Sequence, residues 1–196
     1  QRPILYDEVL ADAVGKHLRM KAAWQEHVLA ALAPRTIILL DEPYMASFGS
    51  AFVSLPRDLV IGMIEEVFAG LQGLKGIHCC GNTEWSILLG SSADIISLDA
   101  YDYAEALLLF PEQVARYLER GGIIAWGIVP AGPTAEQETA ASLADRLETA
   151  IERLAGEGVD RDALRRVGLV SPSCGLGALT PALADHILDL TAAVSQ

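Results

Sequence analysis

Short apolar runs alternate with longer segments of helical periodicity along this chain, and that alternation limits the folds it can adopt. Each of five apolar runs is followed by a helical segment. The runs read RTIILLDEP (35–43), KGIHCC (75–80), ADIISLDAY (93–101), IIAWGIVP (123–130) and RVGLVSPSCG (166–175). Runs of this length are typical of strands covered on both faces, and strands separated by helices form βαβ units. The pattern predicts an α/β fold built on a parallel sheet.

The chain opens on a helical segment rather than on a strand. Residues 5–32 carry apolar side chains at helical spacing, and we expect Leu10, Val14, Leu18 and Ala22 to form one buried stripe. Two architectures fit the five strands: an open doubly wound sheet, or part of a (β/α)8 barrel, which usually needs about 250 residues. The opening helix favours a barrel whose earlier βα units lie outside this sequence.

Composition excludes several classes of partner. The formal net charge of −12 argues against nucleic acid and anionic membranes, because phosphate groups are bound by clustered Lys and Arg. No apolar run is long enough to span a membrane, and the first residues lack a signal-peptide pattern. Three cysteines without a secretion signal indicate a reducing compartment, and we predict the cytoplasm. No linker divides residues 1–196, which we predict to form a single domain.

Ionisable side chains gather at the ends of four of the five predicted strands. They are Asp41 and Glu42 on the first run, His78 and Cys80 on the second, Asp99 on the third and Cys174 on the fifth. In parallel α/β folds the carboxyl ends of the strands form the active face. We therefore expect these side chains to surround one site.

His78, Cys80 and Cys174 form the candidate metal site. Residues i and i+2 of a strand point to the same side, so His78 and Cys80 project together while Cys79 points into the packed interior. Imidazole and thiolate are preferred zinc ligands, and three protein ligands with an open position are the catalytic pattern. Asp99 is a weaker candidate, either as a fourth ligand or as a partner of one, with a helix N-cap as the alternative. The structural alternative for His78 and Cys80 is an ordinary core His and Cys, and for Cys174 it is a small residue in a tight turn.

Asp41 and Glu42 are the candidate substrate-binding residues. They lie next to each other at a strand end that Pro43 stops, so alternation along the strand sends their side chains in different directions. One of them would face the cavity and hold a cationic group such as a substrate ammonium. The other would fix a neighbouring strand through hydrogen bonds, and an ion-paired loop is the structural alternative.

Four segments in this order resemble the landmarks of the cobalamin-independent methionine synthase family, which belongs with the uroporphyrinogen decarboxylase-like barrels. The segments are IILLDEP, HCCGN, ADIISLD and VSPSCGLG. The resemblance covers essentially the whole chain and implies a (β/α)8 TIM barrel, of which this chain carries the last five βα units. Two departures are Asp99 where the family usually has Glu, and SPSCG where it usually has NPDCG.

The resemblance also implies a function, the zinc-dependent transfer of a methyl group to a thiol such as homocysteine. Zinc would be held by His78, Cys80, Cys174 and, at the usual Glu position, Asp99, and would activate the thiol as thiolate. Asp41 would be the catalytic residue that meets the amino group of homocysteine. HCCGN is also similar to corrinoid-linked methylcobamide:thiol methyltransferases, so the methyl donor stays open between a folate and a corrinoid carried on a partner protein.

Two other interpretations of the sequence stay open. A metal-free decarboxylase of the related barrels would need cationic side chains for substrate carboxylates, and the predicted strand ends supply no Arg. The second is a non-catalytic barrel that binds a metal or a partner. Five strands of a barrel would leave a sheet edge and apolar surface exposed, so we expect a preceding segment or a second chain to cover them.

Overall fold

The computed structural model describes residues 4–42, 45, 48 and 55–196, and within them it has one sheet of five parallel strands. The strands are β1 (Ile37–Asp41), β2 (Leu74–Cys79), β3 (Ile95–Leu98), β4 (Ile123–Val129) and β5 (Gly168–Pro172). All five predicted strands are present, and the predicted parallel α/β fold is confirmed. Pro43, predicted to stop the first strand, lies outside the described residues.

Helices connect and flank the strands. They are α1 (Glu8–Ala30), α2 (Arg57–Phe68), α3 (Trp85–Leu89), α4 (Ala100–Tyr103), α5 (Pro111–Glu119), α6 (Ala140–Gly156), α7 (Arg161–Arg166) and α8 (Pro181–Val194). Side chains of Asp7, Thr139 and Thr180 accept backbone hydrogen bonds at the starts of α1, α6 and α8. The sequence did not predict α4 and α7, which have only 4 and 6 residues and so show no helical period. None of the described helices is long and apolar enough to cross a membrane.

The order of the strands decides between the two architectures that the sequence left open. The strands pair as β1-β2-β3-β4-β5, each parallel to the next, with no reversal of order. A doubly wound sheet reverses its strand order at a switch point, whereas a barrel does not. Because βαβ crossovers are right-handed, an unreversed order keeps the connecting helices on one face of the sheet. The five strands therefore have the order of a (β/α)8 barrel, and the predicted fold class is confirmed.

The helix-covered face of the sheet carries the main core. Every second strand residue points toward the helices, and those at most 1% exposed include Ile77, Ile96, Leu98, Ile124 and Trp126. The other face carries the polar side chains of the strand ends. On that face, apolar side chains of the edge strands β1 and β5 are exposed to solvent. Ile37 is 47% exposed, Leu39 is 44% exposed and Leu169 is 43% exposed.

Helix α1 departs from the buried stripe that the sequence predicted. Ala22 is buried at 4%, but Leu10, Val14 and Leu18 are 50%, 41% and 43% exposed. The prediction is wrong for these three residues because α1 packs through a different side against α2 and β1, and no described element covers its remaining face. A second open surface is the free edge of β1, the first strand of the sheet, which contacts α1. Both are surfaces that the next element of a barrel would cover.

Glu26 holds the end of α1 against the two loops that lead into β1 and β2. Its carboxylate accepts hydrogen bonds from the backbone N–H groups of Gln72 (2.8 Å) and Gly73 (2.6 Å) and from the Thr36 hydroxyl (3.1 Å). Burial by itself raises the pKa of Glu26, but these three hydrogen bonds outweigh burial and lower it. This clamp fixes the end of the sheet opposite the strand ends that carry the polar residues.

Charging the exposed α1 stripe is expected to reduce self-association of the 196-residue chain. Exposed apolar patches and open sheet edges drive association, so Val14→Glu with Leu18→Glu should shift the chain toward monomer in size-exclusion chromatography with light scattering. The matched control is Gln25→Glu, which adds charge at an exposed position of the same helix without removing apolar surface. An unchanged mass distribution in the double variant would show that this surface drives no association.

Candidate metal centre

The strands deliver the predicted site residues to one end of the sheet. Asp41 is the last residue of β1, and Cys80 directly follows β2. Asp99 directly follows β3, and Cys174 lies in a bend two residues beyond the end of β5. Since all five strands are parallel, these positions share the carboxyl edge of the sheet, where (β/α)8 barrels place their active sites.

The structure brings His78, Cys80 and Cys174 together. One donor atom from each of them lies within 4.8 Å of the other two. Cys174 is far from the other two in sequence, and the parallel sheet places them at one edge. One nitrogen and two sulfurs form a donor set that suits zinc, and a set of three leaves a position open for an exogenous ligand.

The ring of His78 has one nitrogen engaged and one unpaired. Nδ1 lies 2.9 Å from the Ser97 hydroxyl, while Nε2 is buried and has no hydrogen-bond partner among the described residues. Buried polar atoms rarely lack a partner, so this orphaned nitrogen fits a metal ligand. Burial lowers the pKa of His78, an effect that the Asp41 carboxylate partly offsets, so the ring is neutral and able to ligate at pH 7.

The Cys80 thiol resists ionisation in the absence of a cation. Burial raises the pKa of the half-buried Cys80, and the neighbouring Cys174 raises it further through a hydrogen bond and its charge. A divalent cation reverses this effect, because a coordinating thiol is deprotonated. Cys174 is exposed, so the site is reached from solvent on its side. The residues present therefore fit a zinc ion held by His78, Cys80 and Cys174.

Ser173 fixes the bend that presents Cys174. Its backbone N–H donates to the Val129 carbonyl at 2.8 Å, and its hydroxyl accepts from the Ala131 N–H at 3.1 Å. Ser173 is buried, while Cys174 beside it is exposed. The segment after β5 is thus tied to the segment after β4, which holds Cys174 at the mouth of the sheet.

Asp99 caps a helix rather than joining the close group of donor atoms. Its carboxylate accepts a hydrogen bond from the Asp102 N–H at 3.0 Å and starts α4. The side chain is buried, and burial raises its pKa while the Asp102 N–H works in the opposite direction. The three donors that lie within 4.8 Å of one another do not include it. A role for Asp99 as a fourth ligand stays a prediction.

Asp41 and Glu42 lie on different sides of the end of β1. The register between β1 and β2 pairs Asp41 with His78, so the exposed Asp41 belongs to the face that carries the three donors. The backbone N–H of Glu42 donates to the His78 carbonyl at 2.9 Å, which extends the pairing of the two strands. Burial raises the pKa of Glu42, and the negative charge of Asp41 adds to this. Their roles toward a substrate stay predictions.

Ser97 is a site residue that the sequence analysis missed. The register between β2 and β3 pairs it with His78, and it is buried at 5% exposure. A signal was available: Ser97 precedes Asp99 by two residues, so alternation along the strand puts both on the same side. The signal was overlooked because a lone Ser in an apolar run carries no chemistry of its own.

Two cavities lie away from this group. One of about 250 Å³ lies between α4 and α6, where Arg146 donates to the Tyr101 carbonyl and Arg153 pairs with Glu105. The other, of about 780 Å³, lies at the opposite end of the strands around the Glu26 clamp. The charges named here are already engaged within the protein, so these cavities do not rival the strand ends as a site.

Comparisons with known proteins support the architecture. No family model matches the sequence, and no curated protein matches it. A solved structure, that of a B12-independent methionine synthase from Shewanella sp. W3-18-1 in complex with selenomethionine, matches with a TM-score of 0.63 over 97% of this chain. The two share a fold. Their sequences are 23% identical, so the likeness establishes the fold alone, and the chain spans 55% of the length of that protein.

Proposed function

We propose that this protein is a zinc-dependent methyltransferase that transfers a methyl group to a small-molecule thiol such as homocysteine. The observation that carries the proposal is the convergence of His78, Cys80 and Cys174 at the carboxyl edge of a barrel sheet. The fold shared with a B12-independent methionine synthase supports it, and so does the order of the sequence landmarks along the chain.

Thiol chemistry explains why such a reaction needs this donor set. A free thiol has a pKa of about 8.5, so it is mostly protonated at pH 7 and a poor nucleophile. A zinc ion held by the three donors would supply an open position at which a substrate thiol loses its proton. Two protein thiolates and one neutral imidazole would offset the double positive charge of zinc, so a substrate sulfur at the site would stay electron-rich.

Other residues of the chain would orient the substrate. Asp41 is an exposed carboxylate on the same face as His78, and we propose that it binds the ammonium group of an amino-acid thiol. The half-buried Glu42 would support Asp41 and the strand pairing, because its backbone N–H bonds to β2. Asp99, which caps α4 at the same edge of the sheet, would act as a partner of the ligands.

The methyl donor is the part of the proposal that an assay must assign. A methyl-folate releases its methyl group only when the leaving nitrogen is protonated, so it needs a general acid. A methyl-corrinoid, carried on a separate partner protein, has no such need. A folate donor therefore predicts that turnover requires a general acid near the open side of the sheet, and a corrinoid donor predicts that it does not.

Thiol methylation that depends on zinc is the expected result for the full-length protein. The assay crosses homocysteine and small thiols that lack an ammonium group against methyl-folate and methyl-corrinoid donors, with zinc content measured in parallel. Chelation should reduce turnover to background and restored zinc should recover it. Asp41→Asn should raise KM for homocysteine by about 10- to 100-fold, as expected for a lost charged hydrogen bond, with a smaller change for thiols without the ammonium group.

Two outcomes would contradict the proposal. Stoichiometric zinc without methyl transfer from either donor would favour a non-catalytic metal-binding barrel. Turnover that is unchanged in zinc-free protein would remove the metal from the reaction.

A further inference from the structure

Ser97 and His78 face each other across two neighbouring strands. They are directly paired in the register of β2 and β3, and the Ser97 hydroxyl lies 2.9 Å from Nδ1 of His78. In the same row of the sheet, Asp41 pairs with His78 on the other side and Ala125 pairs with Ser97. Ala125 offers no polar side chain and Asp41 is exposed. Ser97 is therefore the buried hydrogen-bonding neighbour of the imidazole in this row.

The hydrogen bond discriminates between the two tautomers of the ring. A neutral imidazole has one nitrogen that donates and one that accepts. A proton on Nε2 of His78 would be a buried donor with no partner among the described residues, whereas a proton on Nδ1 is satisfied by the Ser97 oxygen. The arrangement thus favours Nδ1–H donating to Ser97, which leaves the lone pair on Nε2.

We propose that Ser97 is a positioning residue for the metal site, whose hydroxyl fixes the tautomer and the ring plane of His78 so that Nε2 is the ligand atom. This inference rests on the proposed function, since it presumes a metal at His78, Cys80 and Cys174. Metal-ligating histidines commonly donate their second N–H to a protein oxygen, and loss of such a partner weakens metal binding about 10- to 100-fold. Ser97 contacts His78 and acts on the metal only through it.

Metal affinity of matched serine variants tests the proposal. Zn²⁺ and Co²⁺ dissociation constants are measured by competition with a chelator for the wild type, Ser97→Ala, Ser97→Thr and Ser91→Ala. Ser97→Ala should bind both ions about 10- to 100-fold more weakly. Ser97→Thr keeps a hydroxyl and should recover most of the affinity. Ser91 is a buried serine whose hydroxyl donates to the Leu88 carbonyl at 2.7 Å, so Ser91→Ala should bind the ions as the wild type does.

A second measurement needs no variant and separates positioning from a general loss of stability. Nitrogen NMR of the His78 ring in metal-free wild-type protein should show the proton on Nδ1, and added Zn²⁺ should shift the Nε2 resonance. A proton on Nε2 would overturn the proposal, as would wild-type affinity in Ser97→Ala.

The result distinguishes this inference from the proposed function. A wild type that binds metal tightly together with an equally tight Ser97→Ala variant removes Ser97 and leaves the methyltransferase proposal standing. A wild type that binds neither ion overturns both.

Discussion

Replacing Cys80 or Cys174 with alanine is expected to abolish stoichiometric zinc binding. Zinc sites with four protein ligands have apparent binding free energies of about 10–16 kcal/mol, so one ligand contributes about 3 kcal/mol or roughly a hundredfold in affinity. Each variant would leave one thiol and the His78 imidazole, which cannot retain zinc against a chelator. Metal analysis after dialysis against a weak chelator measures the effect, and thiol methylation should fall in parallel.

Cys79 provides the matched control for this experiment. It is adjacent to Cys80 in sequence, but its side chain is 0% exposed on the helix-covered face, where its thiol donates to the Gly81 carbonyl. Cys79→Ala should therefore keep its zinc and lose only some stability to the small cavity it leaves. Zinc retained in both Cys80→Ala and Cys174→Ala, or lost equally in Cys79→Ala, would refute the assignment of ligands.

Gly127→Ala is expected to weaken both the fold and the metal site. A Cβ at this position in β4 would overlap the Leu98 carbonyl oxygen and lie 2.8 Å from the Cα of Ser173 and 3.0 Å from the Pro172 oxygen. These are backbone atoms of β3, of the last residue of β5 and of the residue that follows it, so relief requires the strands to move apart. Overpacking of this kind costs about 1–3 kcal/mol of unfolding free energy, and each kcal/mol lowers Tm by about 2–4 °C in a domain of this size.

The displacement caused by Gly127→Ala should reach Cys174, because Ser173 immediately precedes it in the chain. Zinc affinity is therefore expected to fall along with Tm, and chelator competition measures it. Gly62 in α2 provides the control, because a Cβ added there would have no other atom within 4 Å. Gly62→Ala should raise the unfolding free energy by about 0.5–1 kcal/mol and leave zinc affinity unchanged. Wild-type Tm and affinity in Gly127→Ala would show that β4 and β5 have room to adjust.

Much of the fold could be predicted from local patterns. The five strands and the longer helices were recognisable because each has its own apolar period, and the strand-end residues could be named because parallel strands share one active edge. The burial of α1 was predicted wrongly at Leu10, Val14 and Leu18. An amphipathic period states which side of a helix is apolar, but only the neighbouring elements decide whether that side is covered.

The candidate site was likewise predictable only in part. Alternation along a strand was enough to place His78 and Cys80 on one side and Cys79 on the other. It gave no information on which residue of β3 stands beside His78, because that depends on the register between two strands. Alternation could place Ser97 on the same side as Asp99 but could not name it as the partner of His78, and the hydrogen bond that favours Nε2 of His78 as the ligand atom appears only once the register is known.

The sequence by itself determined the five strands, the longer helices, the parallel α/β class and the identity of the strand-end donors, because these depend on spacing within short segments. Only the tertiary structure decided the unreversed strand order, the exposed side of α1, the helix-capping role of Asp99 and the meeting of Cys174 with His78 and Cys80. Apart from the Asp99 cap, which is a local contact at the start of α4, these features come from packing and register between segments that are distant in the chain, and no local period encodes them.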